Sequence, residues 1–142
     1  MRTIHTVAAV ILNSRQETLL VRKRGSDTFI QPGGKPDAGE EPLAALAREL
    51  HEELGVELVT STVVNLGTFE DAAVNELGCL VRARAFLADI TGAVTPQAEI
   101  EEIAWVPLRG PFNVKVAPLS SQHVLPAAAS QLAVRENGGK KG

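Results

Sequence analysis

The sequence has no tyrosine, one tryptophan and a single cysteine, Cys79, in 142 residues. One cysteine forms neither an internal disulfide nor a thiolate zinc site. It fits a reducing compartment, where Cys79 is expected to serve as a small buried hydrophobe. No stretch approaches the ~18 apolar residues of a membrane span. The apolar run Val7 to Leu12, between His5 and Asn13, lacks the longer apolar core and small-residue cleavage site of a signal peptide. A cytoplasmic location without a membrane partner is expected. Charge of one sign is missing too: 14 Lys and Arg against 17 Asp and Glu leave a formal charge of −3. A duplex-binding protein needs a dense cationic footprint, so stable nucleic-acid binding is not expected.

What is present is the composition of a soluble domain, 44% hydrophobic and 22% charged. A chain of this length buries roughly two thirds of its unfolded surface, enough for a core without staples. Val7–Leu12 and Thr18–Val21, split by Asn13-Ser14-Arg15-Gln16, read as a hairpin whose second strand leaves the core through Arg22-Lys23-Arg24. Phe29-Ile30 leads into Gln31 to Gly39, a glycine- and proline-rich loop in which no regular structure is expected. From Glu41 the period changes: Leu43, Leu46, Ala47, Leu50 and Leu54 form a helical stripe, with Pro42 suited to its first turn and Gly55 to the position past its end. Val56–Val64, Cys79–Ala88 and Ile100–Val106 read as strands, separated by turns at Gly67, Asn75 to Gly78 and Thr91-Gly92. Ser120-Ser121 can cap a last helix to about Val134, with Pro126 in its first turn or kinking it. The expected architecture is α+β, a mixed twisted sheet between helices. A single domain over residues 1–136 and a disordered polar tail over 137–142 are expected.

Chemistry concentrates between Gly34 and Val56. That stretch carries Asp37, Glu40, Glu41, Glu49, Glu52 and Glu53 against Lys35 and Arg48. On a helix, Glu49, Glu52 and Glu53 are related by i,i+3 and i,i+4, so their carboxylates project from one face. They repel one another unless something positive sits among them, and the helix dipole disfavours anions in the last turns. A solvated acidic face is the plain alternative. Against it, Arg48 is placed to tie the helix to the glycine loop through a charge-assisted bond, and Gly33 and Gly34 let backbone approach the cluster. Oxygen-only donors at this spacing suit a hard cation, Mg²⁺ or Mn²⁺, completed by substrate phosphates.

The stretch resembles the Nudix box, G-x5-E-x7-R-E-U-x-E-E-x-G-U with U aliphatic, at every specified position: Gly34, Glu40, Arg48, Glu49, Leu50, Glu52, Glu53, Gly55 and Val56. The strand ending in Arg-Lys-Arg, the Pro-Gly-Gly entry and the late Trp105-Val106-Pro107 are also similar to MutT-type Nudix hydrolases. The resemblance implies a Nudix α/β/α sandwich and hydrolysis of a nucleoside diphosphate linked to another group. It implies metal-binding carboxylates at Glu49, Glu52 and Glu53, a further ligand at the Gly34 carbonyl, an auxiliary carboxylate at Glu40 and a brace at Arg48. Lys35 and Lys23, with Arg22 or Arg24 as neighbours, resemble phosphate-contacting positions. Glu99, backed by Glu101 and Glu102, stands where many members draw an additional base or ligand; a solvated loop is the alternative.

Arg82 and Arg84 share one strand face, lining the cleft or lying on a half-exposed sheet. Phe29 is a candidate base-stacking ring, with core packing the competing role. His5, His51 and His123 are too scattered for a metal set, and Phe69 to Asn75 reads as a substrate-shaping loop. Absence of tyrosine, and of proline between Pro42 and Pro96, sets the chain apart from dinucleoside-polyphosphate hydrolases and many ADP-ribose pyrophosphatases. A nucleoside triphosphate, with an ordinary or modified base, is the leading substrate; ADP-ribose or a nucleotide sugar is the alternative. A non-catalytic, nucleotide-binding regulatory domain is the alternative of another class, and a homodimer remains open.

Overall fold

The chain runs β1 (Arg2–Val10), β2 (Glu17–Lys23), β3 (Phe29–Ile30), β4 (Gly33–Gly34), α1 (Pro42–Leu54), β5 (Glu57–Ala72), β6 (Cys79–Thr91), β7 (Ile100–Pro107) and α2 (Leu125–Gly139). A π-helical turn over Leu119–Val124 leads into α2. The computed structural model describes the backbone of residues 2–139. Two sheets form, with strand orders β4-β1-β6-β5 and β3-β2-β7. Among the described strands the pairings are antiparallel except β1 with β6, which run parallel from Arg2↔Cys79 to Val10↔Leu87; Phe29 also makes an isolated parallel bridge to Val116.

The helical stripe produces α1 as expected, burying Ala45, Leu46, Leu50 and Leu54. Pro42 opens it where no N–H is needed, and Gly55, with φ 68°, closes it by donating to the His51 carbonyl at 2.9 Å. The apolar face of α1 packs on Val7 and Ala9 of β1, Phe86 of β6, and Leu19 and Val21 of β2. On the opposite side Val124, Leu125 and Ala128 cover Val10, Ala85 and Leu87. The sheets therefore lie between α1 and α2, the α+β sandwich that the sequence points to.

Several local expectations are corrected. The hairpin survives only around its turn, where the Asn13 side chain accepts from the backbone N–H of Glu17 at 2.9 Å and Leu12 bridges Thr18. Beyond it β1 and β2 diverge into different sheets. The glycine loop contains regular structure after all: Gly33 and Gly34 pair with Ala8 and Val7. β5 does not turn at Gly67, because register shifts between Val59 and Val64 and between Asn65 and Gly67 absorb the irregularity. Phe69 to Ala72 thus extends the strand, and the loop shrinks to the residues before Cys79. Cys79 opens β6 half-buried, outside the core.

Ser120 and Ser121 lie inside the π-helical turn and cap nothing, and Pro126 occupies the first turn of α2. That helix continues beyond Val134 to Gly139, so the first part of the expected disordered tail is helical; residues 140–142 lie outside the described residues.

Leu50 is fully buried between α1 and the sheets. Leu50→Ala is expected to lower unfolding stability by about 2–5 kcal/mol, read from the midpoint of urea denaturation; a loss near zero would show that α1 is not held by this core.

Candidate active site

Arg48 organises the site. Its guanidinium grips Glu40 with both arms, Nε to Oε2 at 2.9 Å and Nη2 to Oε1 at 2.8 Å. Nη1 donates to Glu49 at 2.9 Å and to Glu52 at 3.3 Å. Nη2 also donates to the Lys35 carbonyl at 3.1 Å, which ties the helix to the glycine loop. The positive charge needed among the glutamates is therefore Arg48 itself. The fork holds the Glu40 carboxyl at about 2, helped by the Asp37 backbone N–H, and Glu40 in turn raises the Arg48 pKa further.

Glu53 sits apart from that clamp. It is 3% exposed and accepts one hydrogen bond, from the Gly33 N–H at 3.1 Å. Burial pushes its pKa up to about 8, against the Gly33 bond and with repulsion from Glu49 adding to the rise. Burial likewise raises Glu49, opposed by Arg48. Gly33 is demanded by this packing, and Gly34 leaves the room that Glu49 fills. A Cβ on Gly34 would lie 2.5–2.7 Å from the Glu49 carboxylate atoms, and one on Gly33, at φ 148°, would collide with the Val7 carbonyl.

Glu52 is more open, its side chain 53% exposed. Among the described residues no three acidic, His or Cys side chains are already gathered as a cage. Arg48 holds Glu49 and Glu52 while the Gly33 N–H holds Glu53, so the three carboxylates on that face do not meet at one point. The donor set still fits a hard cation: a buried carboxylate without a positive partner of its own, a second one pressed on the Gly34 backbone, and oxygen donors only.

A cavity of about 430 Å³ opens beside this cluster, lined by Glu49, Gly33, Gly34, Lys35, Lys23 and Glu99 at one end. Lys23 and Glu99 are paired at 3.2 Å across β2 and β7, so the loop candidate faces the box. Arg22 binds Glu102 at 3.0 Å and Arg24 meets Glu101 at 3.6 Å; neither arginine lines the cavity. Lys35 pairs with Glu76 from the β5–β6 turn at 3.2 Å. Phe29 does not reach the cavity, because it is buried with Leu20 and Val106. Arg82 and Arg84 occupy the alternate face from Val81 and Ala83, which line the cavity. Arg82 pairs with Glu70, and Arg84 lies over Phe86. His51 is exposed on Glu57, and His123 meets Asp71 at 3.1 Å. Reading by sequence missed Gln31, Glu76, Ser120 and the Val81–Ala83 wall. Only Gln31 carried a local signal, its place before Pro32-Gly33-Gly34.

An α+β sandwich whose glycine turn and glutamate helix meet at the mouth of a cleft is the NUDIX arrangement, and the NUDIX domain family model matches residues 2–127. The chain belongs to the NUDIX domain family. The solved ORF135 protein of E. coli is similar with a TM-score of 0.74 over 95% of this chain and 94% of that one, at 28% identity. The MutT protein of Methanosarcina mazei is similar with a TM-score of 0.74 over 92% and 96%, at 25% identity. The chain is 36% identical over 73 residues to the 8-oxo-dGTP diphosphatase of Haemophilus influenzae, 49% of this chain and 54% of that protein. It is 41% identical over 61 residues to an RNA pyrophosphohydrolase of Francisella tularensis, 39% of each. The matches thus span about half or less of these curated relatives. Among the described residues no helix is long and apolar enough to cross a membrane.

Glu53 predicts a pH dependence. Its folded pKa of about 8 exceeds the ordinary 4.5, so the native state binds the extra proton between those values. Stability of the metal-free chain is therefore expected to fall as pH rises from 5 to 8. In chelator, the melting temperature should drop over that range, and Glu53→Gln should remove most of the slope. Parallel slopes in the two proteins would refute the burial account.

Proposed function

We propose that the chain hydrolyses a phosphoanhydride bond of a nucleoside diphosphate derivative with a divalent cation, Mg²⁺ or Mn²⁺. The leading substrate is a nucleoside triphosphate, with an ordinary or modified base, cleaved to the monophosphate and pyrophosphate. One observation carries this reading: a buried, cation-less Glu53 and an Arg48-held set of glutamates stand against a glycine turn, at the end of a cavity rimmed by Lys23 and Lys35. The relative named as an 8-oxo-dGTP diphosphatase supports it.

Glu49, Glu52, Glu53 and the Gly34 carbonyl would hold the cation, with Glu40 as a further carboxylate. When bound, such an ion supplies charge neutralisation at phosphate oxygens and Lewis acidity. The chain's own residues supply the rest. Lys23 and Lys35 bind and orient the phosphates, each exchanging a glutamate partner for a phosphoryl oxygen, with Arg22 and Arg24 adding positive field at the strand end. Arg48 fixes the glutamates and the loop in one frame. Water forms the new bond to phosphorus, the bond to the pyrophosphate oxygen breaks, and Glu99, facing the cleft from β7's start, accepts the proton from water. In this reading residues 1–136 act as one domain in the cytoplasm on a small nucleotide, without a nucleic-acid or membrane partner.

Chromatography of products after incubation with Mg²⁺ and a panel of dNTPs, oxidised dNTPs, ADP-ribose, nucleotide sugars and dinucleoside polyphosphates tests the proposal. A nucleoside monophosphate with pyrophosphate is expected from the triphosphates, and Glu53→Gln is expected to lower the rate by roughly 100-fold or more. Millimolar Mg²⁺ should raise the melting temperature of the wild type. Nucleotide binding without turnover across the panel would replace the hydrolase by a regulatory binding domain.

A further inference from the structure

The cavity is lined by a polar group to which the phosphate reading above gives no role. Part of its lining is aliphatic, from Ile4, Val81, Ala83 and Val124. Gln31, from the segment between β3 and β4 beside the glycine turn, borders the same cavity and is only 7% exposed. Its Nε2 donates to the Ala9 carbonyl at 2.9 Å, which fixes the orientation of the amide. Its Oε1 is closed off from solvent and has no hydrogen-bond partner. Thr18 Oγ1 is the other such atom among the described residues, and Thr18 does not line the cavity.

A buried acceptor left unpaired opposes folding, and such groups call for a specific explanation. A carboxamide's last torsion is broad, so a ligand donor in the cavity can draw Oε1 toward it, with Nε2 loosening from the Ala9 carbonyl. No aromatic ring among the described residues lines the cavity, so stacking does not supply selectivity there. What remains for reading a head group is hydrogen bonding, and Gln31 offers an acceptor.

We propose that Gln31 is the specificity-determining residue of this cleft: Oε1 accepts a hydrogen bond from an N–H on the ligand's base. At the base position that meets Oε1, the cleft then favours an amine or a protonated ring nitrogen over a lone pair. The lone pair would face Oε1 with both atoms desolvated, which is why rejection exceeds the loss of one bond. The inference rests on the nucleotide reading above and adds which chemical edge is selected.

Two matched pairs each remove one donor: dATP against purine deoxyriboside triphosphate, the C6 amine against hydrogen, and 8-oxo-dGTP against dGTP, the N7–H against a ring lone pair. The measurements are kcat/KM with Mg²⁺ and, separately, Kd by titration of the metal-free protein. In at least one pair the wild type should favour the donor-bearing member by roughly 10- to 100-fold. Gln31→Met, and independently Gln31→Leu, should bring that ratio close to one. A purely structural Gln31 would lower both members alike and leave the ratio intact, which overturns the proposal. If nothing is hydrolysed but binding keeps a Gln31-dependent preference, the hydrolase reading falls and this inference stands. A wild type that shows no preference in either measurement overturns it outright.

Discussion

The Arg48 guanidinium is the interaction on which the site depends. Glu49, Glu52 and Glu53 crowd the C-terminal turns of α1, where mutual repulsion and the helix dipole both oppose them. Arg48 answers with a planar fork that reaches Glu40, Glu49, Glu52 and a loop carbonyl at once. A lysine, a single point of charge on a flexible stem, has no such geometry. The same fork fixes the loop: Glu40 receives both Arg48 and the Asp37 N–H, so the path from Gly34 to α1 is set by one hydrogen-bonded cluster.

The basic edge follows different physics. Arg22, Lys23 and Arg24 each face a glutamate on or beside β7, in pairs whose glutamates are exposed while Arg22 and Lys23 are half-buried. Exposed pairs contribute little to stability. Their glutamates neutralise the edge in the free protein without holding it tightly, which suits cations that exchange a carboxylate for a phosphate. Glu53 is the opposite case, a charge made expensive by burial. The site thus combines loosely paired cations with one tightly enclosed carboxylate.

The helix was readable because its signals are local. Leu46, Leu50 and Leu54 repeat at helical spacing, and Pro42 and Gly55 mark its ends. The clustering of Glu49, Glu52 and Glu53 follows from that helix alone. What could not be read depends on partners distant in the chain. Nothing in Val7–Leu12 and Thr18–Val21 indicates that the two strands part into separate sheets. Gly33-Gly34 becomes a strand only because Val7 and Ala8 lie alongside. Phe29 stands beside the box in sequence yet turns into the Leu20–Val106 core, and Gln31 gains meaning only from the Ala9 carbonyl. Burial of Glu53 likewise needs the loop to fold back over the helix.

The parallel pairing of β1 with β6 also governs the order in which the protein is made. Arg2 finds its neighbour at Cys79 and Val10 at Leu87. At about 5–20 residues per second, the N-terminal strand waits roughly 4 to 15 s on the ribosome for that partner. By then the glutamate helix has been synthesised, but Val81 and Ala83, which line the cavity, have only just followed. The last strand, β7, must still arrive to set Glu99 opposite Lys23. A nascent chain therefore carries its helix glutamates well before it has a chamber to hold a nucleotide, and capacity to bind appears late and all at once.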